Sequence, residues 1–184
     1  MTDPNPRGDE PTDGELIARW RGGDERAATE LVARHAPALA RFAAASGAGA
    51  DAAELVQDTF VRAFGSLDTF RGDSSLRTWL FTIERRLLLD RRRAERRRGA
   101  DVELEEGHLT TSGDPLDAVV ANESRERLRI AVGRLSPTQR EVFTLRVGEG
   151  LSYKEIASAV GTTEGAARVH YHNAMRTIKE FLDD

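Results

Sequence analysis

Apolar residues recur with helical spacing along most of the chain, and no segment shows the two-residue alternation of a half-buried strand. Two helices are predicted before the turn at 46–49: one from Asp13 to Gly22, and a second that begins at the N-cap Asp24. Pro37 lies inside the second helix and is expected to kink it. The apolar sides of these two helices are formed by Leu16, Ile17, Trp20, Leu31, Val32, Leu39 and Phe42.

Two further helices are predicted at 51–67 and 75–97, with the polar loop 70–75 between them. Each has an apolar face that can join a core and an opposite, polar face. The inner faces comprise Val56, Thr59, Phe60, Ala63 and Leu67 in the first helix, and Leu76, Leu80, Ile83 and Leu87 in the second. The outer faces comprise Glu54, Gln57, Asp58, Val61 and Arg62 in the first helix, and Thr78, Arg85, Arg92 and Arg96 in the second.

The C-terminal part is divided by clear helix starts and stops. Two capping boxes, at 136–139 and 152–155, each predict the start of a helix, and Gly161 predicts a tight turn before a final helix capped by Thr162 or Thr163. A short helix, a glycine and a long helix are typical of a helix-turn-helix, although a helical hairpin without a ligand stays an alternative. The inner stripe of the last helix is Ala167, Tyr171, Ala174 and Ile178, and its outer face is Arg168, Val169, His172 and Arg176.

Charge is segregated along the chain, although the net charge of the whole is only −4. Residues 71–98 carry 10 basic and 4 acidic side chains, and 99–124 carry 7 acidic and no basic ones. A solvated helix end, where cations are favourable, accounts for only part of this arginine run. We therefore expect the outer face of the 75–97 helix to contact nucleic-acid phosphates. The acidic segment 99–114 is expected to be a flexible linker.

Composition disfavours several classes of protein. The absence of cysteine excludes disulfides, thiolate metal sites and a thiol nucleophile. No apolar run approaches membrane-spanning length, and the acidic, Pro/Gly-rich residues 1–12 are typical of a flexible tail, which together favour the cytoplasm. His170 and His172 lie about 200° apart around a helix, so one metal ion cannot bind both. No phosphate-binding loop or catalytic triad pattern occurs, so we expect no cofactor, no metal and no enzymatic activity.

Two stretches resemble the extracytoplasmic-function (ECF) sigma factors of bacterial RNA polymerase. Their second conserved region is similar to about 54–90, within AELVQDTFVRAFGSLDTFRGDSSLRTWLFTIERRLLLD, and their fourth is similar to 134–175, RLSPTQREVFTLRVGEGLSYKEIASAVGTTEGAARVHYHNAM. Because no strand pattern occurs, the sequence predicts an all-α protein, with two small helical domains at 13–98 and 115–184 on either side of the acidic segment, the second containing the helix-turn-helix. The resemblance implies a factor that directs core RNA polymerase to promoter DNA, with an anti-sigma factor as an expected partner.

The resemblance also implies roles for the outer faces. Core polymerase would be bound by the 51–66 helix, through Glu54, Gln57, Asp58, Val61 and Arg62. The −10 promoter element would be contacted within 68–98, by Arg71, Asp73, Ser74, Arg77, Thr78, Arg85, Arg86, Arg92 and Arg96. The −35 element would be contacted by Thr163, Glu164, Arg168, Val169, His172, Asn173 and Arg176. Phe70 either stacks on an unpaired base beside Arg71 or belongs to the core.

Two departures from the family leave the promoter sequence open. Arg86 stands where the family often has Asn, and the residues 168–173, RVHYHN, replace a more usual sequence rich in Lys, Ser and Arg. A second interpretation is a stand-alone helix-turn-helix regulator whose N-terminal half senses a signal or dimerises. That interpretation predicts tight duplex binding by the isolated protein, but it gives no reason for a second basic helix within 68–98.

Overall fold

The computed structural model describes residues 10–98 and 125–183, and every regular element within these ranges is helical. The helices are α1 (Asp13–Arg21), α2 (Glu25–Ala45), α3 (Ala52–Gly65), α4 (Leu76–Arg97), α5 (described over 125–133), α6 (Pro137–Phe143), α7 (Tyr153–Val160) and α8 (Glu164–Asp183). None of these helices combines the length and the apolar character needed to cross a bilayer. The all-helical class is confirmed, whereas the predicted linker 99–114 lies outside the described residues.

Helix contacts divide the chain into two compact units, Met1–Ala38 and Leu39–Asp184, with the boundary inside α2. Helix α2 is continuous across the boundary, so Pro37 does not end it. In the first unit, the Asp13 carboxylate accepts a hydrogen bond from Arg34 Nη1 at 2.8 Å and lies 3.0 Å from His35 Nε2. Burial acts to raise the pKa of Asp13, but hydrogen bonds and charge from His35 and Arg34 bring it below its usual value.

Side-chain caps fix where the helices start, mostly as the sequence predicts. Thr12 and Glu15 form a capping box, so the side chain of Thr12 caps the start of α1. The predicted cap at Asp24 is confirmed, since its carboxylate accepts from the Arg26 amide at 3.0 Å. Further helix starts are capped by the side chains of Ser75, Ser136, Ser152 and Thr163.

The inner face of α3 is rotated slightly from the predicted one. Leu55 is fully buried in a cluster with Ala43 and Leu88, while the predicted inner residue Val56 is only half-buried. The Thr59 hydroxyl is satisfied by the Leu55 carbonyl at 2.8 Å, which explains a polar residue in this core. The remaining predicted inner positions are confirmed as buried: Thr59, Phe60, Ala63 and Leu67.

The buried face of α4 is wider than its apolar pattern predicts. Leu76 and Leu80 are buried as expected, but Ile83 and Leu87 are only half-buried. Helix α4 contacts α3 and also α7, so more than one of its sides is covered. The additional buried positions are Thr78, Phe81, Glu84 and Leu88.

The C-terminal helices have a core of their own, formed by Ala131, Leu135, Ala174 and Ile178. The Arg134 guanidinium stacks over the Phe181 ring at 4.3 Å and covers one edge of this core. A π-helical turn, Thr144–Gly148, follows α6 directly, and Gly150 then adopts φ +69°, a conformation that favours glycine. These two features turn the chain sharply between α6 and α7.

Candidate nucleic-acid interface

Helices α7 and α8 form the helix-turn-helix that the sequence predicts. Gly161 ends α7 in the left-handed conformation, with φ +64°, which allows the sharp turn into α8. On the inner side of α8, Ala167, Ala174 and Ile178 are buried, and Tyr171 is half-buried with its ring edge-on to Tyr153. The opposite side presents a polar and cationic surface, as the sequence predicts: Arg168, Val169, His172 and Arg176 are all exposed.

Arg168 is held in place at the start of this exposed surface. Its Nη2 donates to Glu164 at 2.7 Å, and its guanidinium lies 4.9 Å from the centre of the Tyr153 ring. Arg146 approaches the same ring at 4.8 Å. Two guanidinium groups therefore lie around one tyrosine beside the exposed face of α8, and the Glu164 carboxylate partly offsets their charge.

The outer face of α3, in the second unit, is exposed to solvent and has an apolar residue at its centre. Val61 is 67% exposed, and the neighbouring Gln57 and Arg62 are exposed as well. Asp58 is half-buried because its carboxylate accepts from Arg91 Nη2 at 2.6 Å. The same Arg91 group lies 3.1 Å from exposed Glu54. Sequence reasoning did not assign Arg91 to this face, because the contact joins residues that are distant in the chain.

The basic side of α4 is partly covered by C-terminal helices within the second unit. Arg85 Nε donates to the Glu141 carboxylate at 2.7 Å. Arg77 donates to the Glu149 carbonyl oxygen at 3.1 Å and also to the Glu149 carboxylate. Arg41, from α2, donates to that carboxylate at 2.8 Å. The sequence pattern predicted that Arg85 faces solvent, and it did not reveal the carboxylate partners of these three arginines.

Thr78 corrects an expectation of the sequence analysis. It was assigned to the outer face of its helix, but it is fully buried. Its hydroxyl lies 2.9 Å from the hydroxyl of Ser75, which caps the helix, and donates to Glu155 Oε1 at 3.5 Å. Helix α7 covers this side of α4, and the small side chain of Thr78 fits beneath it. Thr78 is therefore buried although helical periodicity placed it on the outer face.

The remaining predicted −10 residues differ in exposure. Arg71, Asp73, Arg86 and Arg96 are exposed and Ser74 is half-buried. Arg92 is instead turned inward, where its guanidinium donates to the Ser46 carbonyl.

Phe70, which the sequence left between two roles, is half-buried and packs against Trp79 with ring centres 5.1 Å apart. Its ring is thus already in contact with a second aromatic side chain of the protein. Among the loop residues, Arg71 and Asp73 are exposed to solvent.

Glu84 is a buried acid that sequence reasoning missed. It is fully buried on α4, and neither carboxyl oxygen has a hydrogen-bond partner among the described residues. Burial raises its pKa to about 9, so the side chain is neutral at physiological pH. Its spacing of four residues from the buried Leu80 and Leu88 was a signal in the sequence that placed it on the inner face.

The histidines and carboxylates offer no metal site in the part of the chain that the structure describes, where no group of three or more is suitably placed. The described surfaces present guanidinium groups, hydroxyls and exposed apolar side chains to a binding partner. A helix-turn-helix with a cationic outer face, together with a second arginine-rich helix, defines a DNA-binding protein.

Comparison with known proteins identifies the family. Sigma-70 region 2 matches residues 31–98, and Sigma-70 region 4 matches residues 125–178. The RNA polymerase sigma factor CnrH of Cupriavidus metallidurans is 34% identical over 183 residues, which cover 95% of this chain and 96% of CnrH. The ECF RNA polymerase sigma-E factor of Escherichia coli K12 is 31% identical, covering 91% of this chain and 92% of that protein. The chain therefore belongs to the ECF sigma factors and directs RNA polymerase in transcription initiation.

Solved structures agree with this assignment. The sigma factor RpoE of Bartonella quintana, in complex with the anti-sigma factor NepR, superposes with a TM-score of 0.70 at 27% identity. That match covers 84% of this chain and 96% of RpoE. CnrH in complex with the cytosolic domain of CnrY gives a TM-score of 0.67 at 31% identity, over 93% of this chain and 97% of CnrH.

Proposed function

We propose that promoter recognition by this sigma factor is divided between its two conserved regions. In this proposal the region 2 domain, 13–98, docks on core polymerase and contacts the −10 element, and the region 4 domain, 115–184, contacts the −35 element. The acidic segment 99–114 links them. The observation that carries the proposal is the pair of exposed cationic surfaces, one on the outer face of α8 and one formed by Arg71, Arg86 and Arg96 on α4 and its preceding loop.

The outer face of α3 is proposed as the docking surface for core polymerase. A highly exposed valine at the centre of a polar helix face is typical of a protein interface, whose core is apolar and whose rim is polar. Around Val61 the rim consists of Glu54, Gln57, Asp58 and Arg62. The ion pair between Asp58 and Arg91 holds the Asp58 side chain in one conformation before binding. Less side-chain conformational entropy is therefore lost when a partner docks.

The loop before α4 is proposed to engage an unpaired base of the −10 element. Arg71 and Asp73 are exposed and Ser74 is half-buried, so a guanidinium plane, a carboxylate and a hydroxyl are available for stacking and hydrogen bonding. Extracting a base costs a few kcal/mol, which one small loop is not expected to supply alone. Core polymerase is therefore expected to help hold the strands apart.

An anti-sigma factor is proposed as a regulatory partner. Two of the matched structures are complexes in which the sigma factor is bound by NepR or by the cytosolic domain of CnrY. This chain aligns with each of those sigma factors over most of its length. The exposed apolar centre of the α3 face offers a surface that such a partner could cover.

The proposal is tested by comparing binding to promoter duplex with binding to the same DNA unpaired at the −10 element, with and without core polymerase. We expect weak binding by the free protein and a gain from unpairing when core enzyme is present. Alanine substitutions at Arg71, Asp73 and Ser74 should reduce that gain. Nanomolar duplex binding that is indifferent to core enzyme and to these substitutions would instead favour a stand-alone regulator.

Replacing Arg168 or Arg176 with Ala is expected to weaken −35 recognition while polymerase association is retained. Both side chains are exposed on the outer face of α8, and a base-reading arginine contributes roughly 1–3 kcal/mol to discrimination. Competition binding of holoenzyme to promoters with single −35 substitutions measures the effect. Lys179→Ala is the matched control, because it removes an exposed cation of α8 outside the proposed surface. Unchanged selectivity in both arginine variants would rule out this face as the recognition surface.

A further inference from the structure

Val169 is an exposed apolar side chain on α8, the helix proposed to contact the −35 element. It is 58% exposed and lies in the second turn of that helix, next to Arg168 and one turn before His172, which are exposed as well. A single exposed apolar residue is common on protein surfaces. The position of Val169 is what matters, because the N-terminal part of a recognition helix is the part that contacts base edges.

The fold of region 4 does not require a valine at position 169. The buried residues of α8 are Ala167, Ala174 and Ile178, which lie on the opposite side of the helix. A β-branched side chain loses rotamer freedom in a helix, so an exposed valine is a weaker helix former than alanine, lysine or arginine. Among the described residues, Val169 therefore contributes neither to a core nor to the intrinsic stability of its helix.

The surface around Val169 allows a ligand to approach closely. Gly165 lies one turn earlier on the same side of α8 and is exposed, and a Cβ atom added there would meet no described atom within 4 Å. Ala166, three positions before Val169, adds only a methyl group. Small residues in the first turn let the helix backbone come near a base pair, where a side chain as short as valine can reach it.

The long side chain that precedes Val169 does not cover it. The Arg168 guanidinium donates to Glu164 at 2.7 Å and lies 4.9 Å from the centre of the Tyr153 ring, which belongs to α7. These contacts hold Arg168 on the side of α8 that meets α7. The isopropyl group of Val169 therefore stays accessible beside a fixed arginine.

The chemistry of valine favours one base over the other three. In the major groove only thymine presents a methyl group, whereas cytosine presents an amino donor and both purines present the N7 acceptor. Valine has no hydrogen-bonding group, so a polar base edge packed against it would lose water without a replacement. A thymine methyl group has no hydrogen bond to lose, and its burial against an isopropyl group is favourable.

We infer that Val169 reads the C5 methyl group of a thymine in the −35 element and is a specificity-determining residue of this sigma factor. The inference deepens the proposed function and rests on it, because it requires α8 to lie in the major groove. Arg176 is exposed two turns further along the same side of α8, and its positive charge attracts DNA to the surface that carries Val169.

The first experiment obtains the sequence of the element by selection. Holoenzyme assembled from the full chain and core polymerase enriches duplexes from a pool in which the upstream promoter segment is randomised. The wild type should enrich thymine at a position where Val169→Ala does not, with the other positions unchanged. Alanine is a strong helix former, so this variant keeps the fold. Val147→Ala is the matched control, because it shortens a valine that is 57% exposed outside α8.

The second experiment tests the methyl group itself. Each thymine of the selected element, on either strand, is replaced singly by deoxyuridine, which keeps the O4 acceptor and lacks the methyl group. At one position this change should weaken binding of wild-type and Val147→Ala holoenzyme about four-fold, the effect of losing one buried methyl group. Val169→Ala holoenzyme should bind the two duplexes almost equally. At the same position, 5-methylcytosine should be bound more tightly than cytosine by the wild type and not by Val169→Ala.

The outcomes separate the inference from the proposed function. Equal binding of the thymine and deoxyuridine duplexes by the wild type at every position would overturn the inference, as would a methyl dependence that Val169→Ala retains. If Arg168→Ala and Arg176→Ala still alter selectivity in the same pool, only the reading of the methyl group is lost and the proposed role of α8 stands. An enriched sequence that none of the three variants changes would overturn both.

Discussion

Replacing Gln57 with Ala and Asp58 with Lys should abolish binding to core polymerase while the helical content is preserved. Both residues belong to the outer face of α3, whose inner face is already occupied by Leu55 and Phe60. A reversed charge in a packed polar interface adds repulsion and leaves partner groups unpaired, a penalty of roughly 3 kcal/mol or about a hundred-fold in affinity. Pull-down of core enzyme, with circular dichroism of the variant, measures the outcome.

The ion pair of Asp58 requires its own control in that experiment. Asp58→Lys also removes the contact with Arg91 at 2.6 Å, and Arg91→Gln removes the same contact while every side chain of α3 is kept. We expect Arg91→Gln to weaken polymerase binding far less than the double variant, because it introduces no repulsive charge at the interface. Normal recruitment by the double variant, in a folded sample, would mean that polymerase docks on another surface.

Replacing Glu84 with Gln should make the protein more stable at neutral and alkaline pH. The pKa of Glu84 is about 9 in the folded protein, whereas the pKa of a glutamate in an unfolded chain is about 4.3. Between these values the folded state holds a proton that the unfolded state has released. The free energy of unfolding therefore falls as pH rises, by up to about 1.4 kcal/mol per pH unit, until the folded pKa is passed.

The pH dependence distinguishes this effect from a general gain in packing. The advantage of Glu84→Gln over the wild type should grow by up to about 3 kcal/mol between about pH 6 and about pH 8, measured by urea unfolding. Glu180→Gln, at an exposed position of α8, should follow the wild type throughout. Parallel curves for Glu84→Gln and the wild type would show that Glu84 does not hold a proton in the folded state.

Local features of this fold were predictable because they depend on neighbouring residues. The capping boxes at Ser136 and Ser152 and the turn at Gly161 are set within a few positions of the chain. The exposed face of α8 followed from helical periodicity alone. The same holds for the outer face of α3, apart from the contact of Asp58 with Arg91.

Features that depend on distant contacts were not predictable. Thr78 has the periodicity of a solvent-facing residue, and only the approach of α7 explains why it is buried. The pairing of Arg77 with Glu149 joins two regions with no local signal in either. Glu84 was overlooked for another reason: a charged residue type suggests exposure, although its spacing placed it on the buried face.

The most direct test of the sigma-factor role is transcription by core polymerase from a pool of genomic DNA fragments, with and without this chain. Sequencing of the transcript 5′ ends should reveal start sites that appear only when the chain is present and that share upstream sequence elements. The Gln57→Ala, Asp58→Lys variant should yield none of them. Identical 5′ ends with and without the chain, while the free protein binds promoter duplex tightly, would contradict a role in initiation through core polymerase.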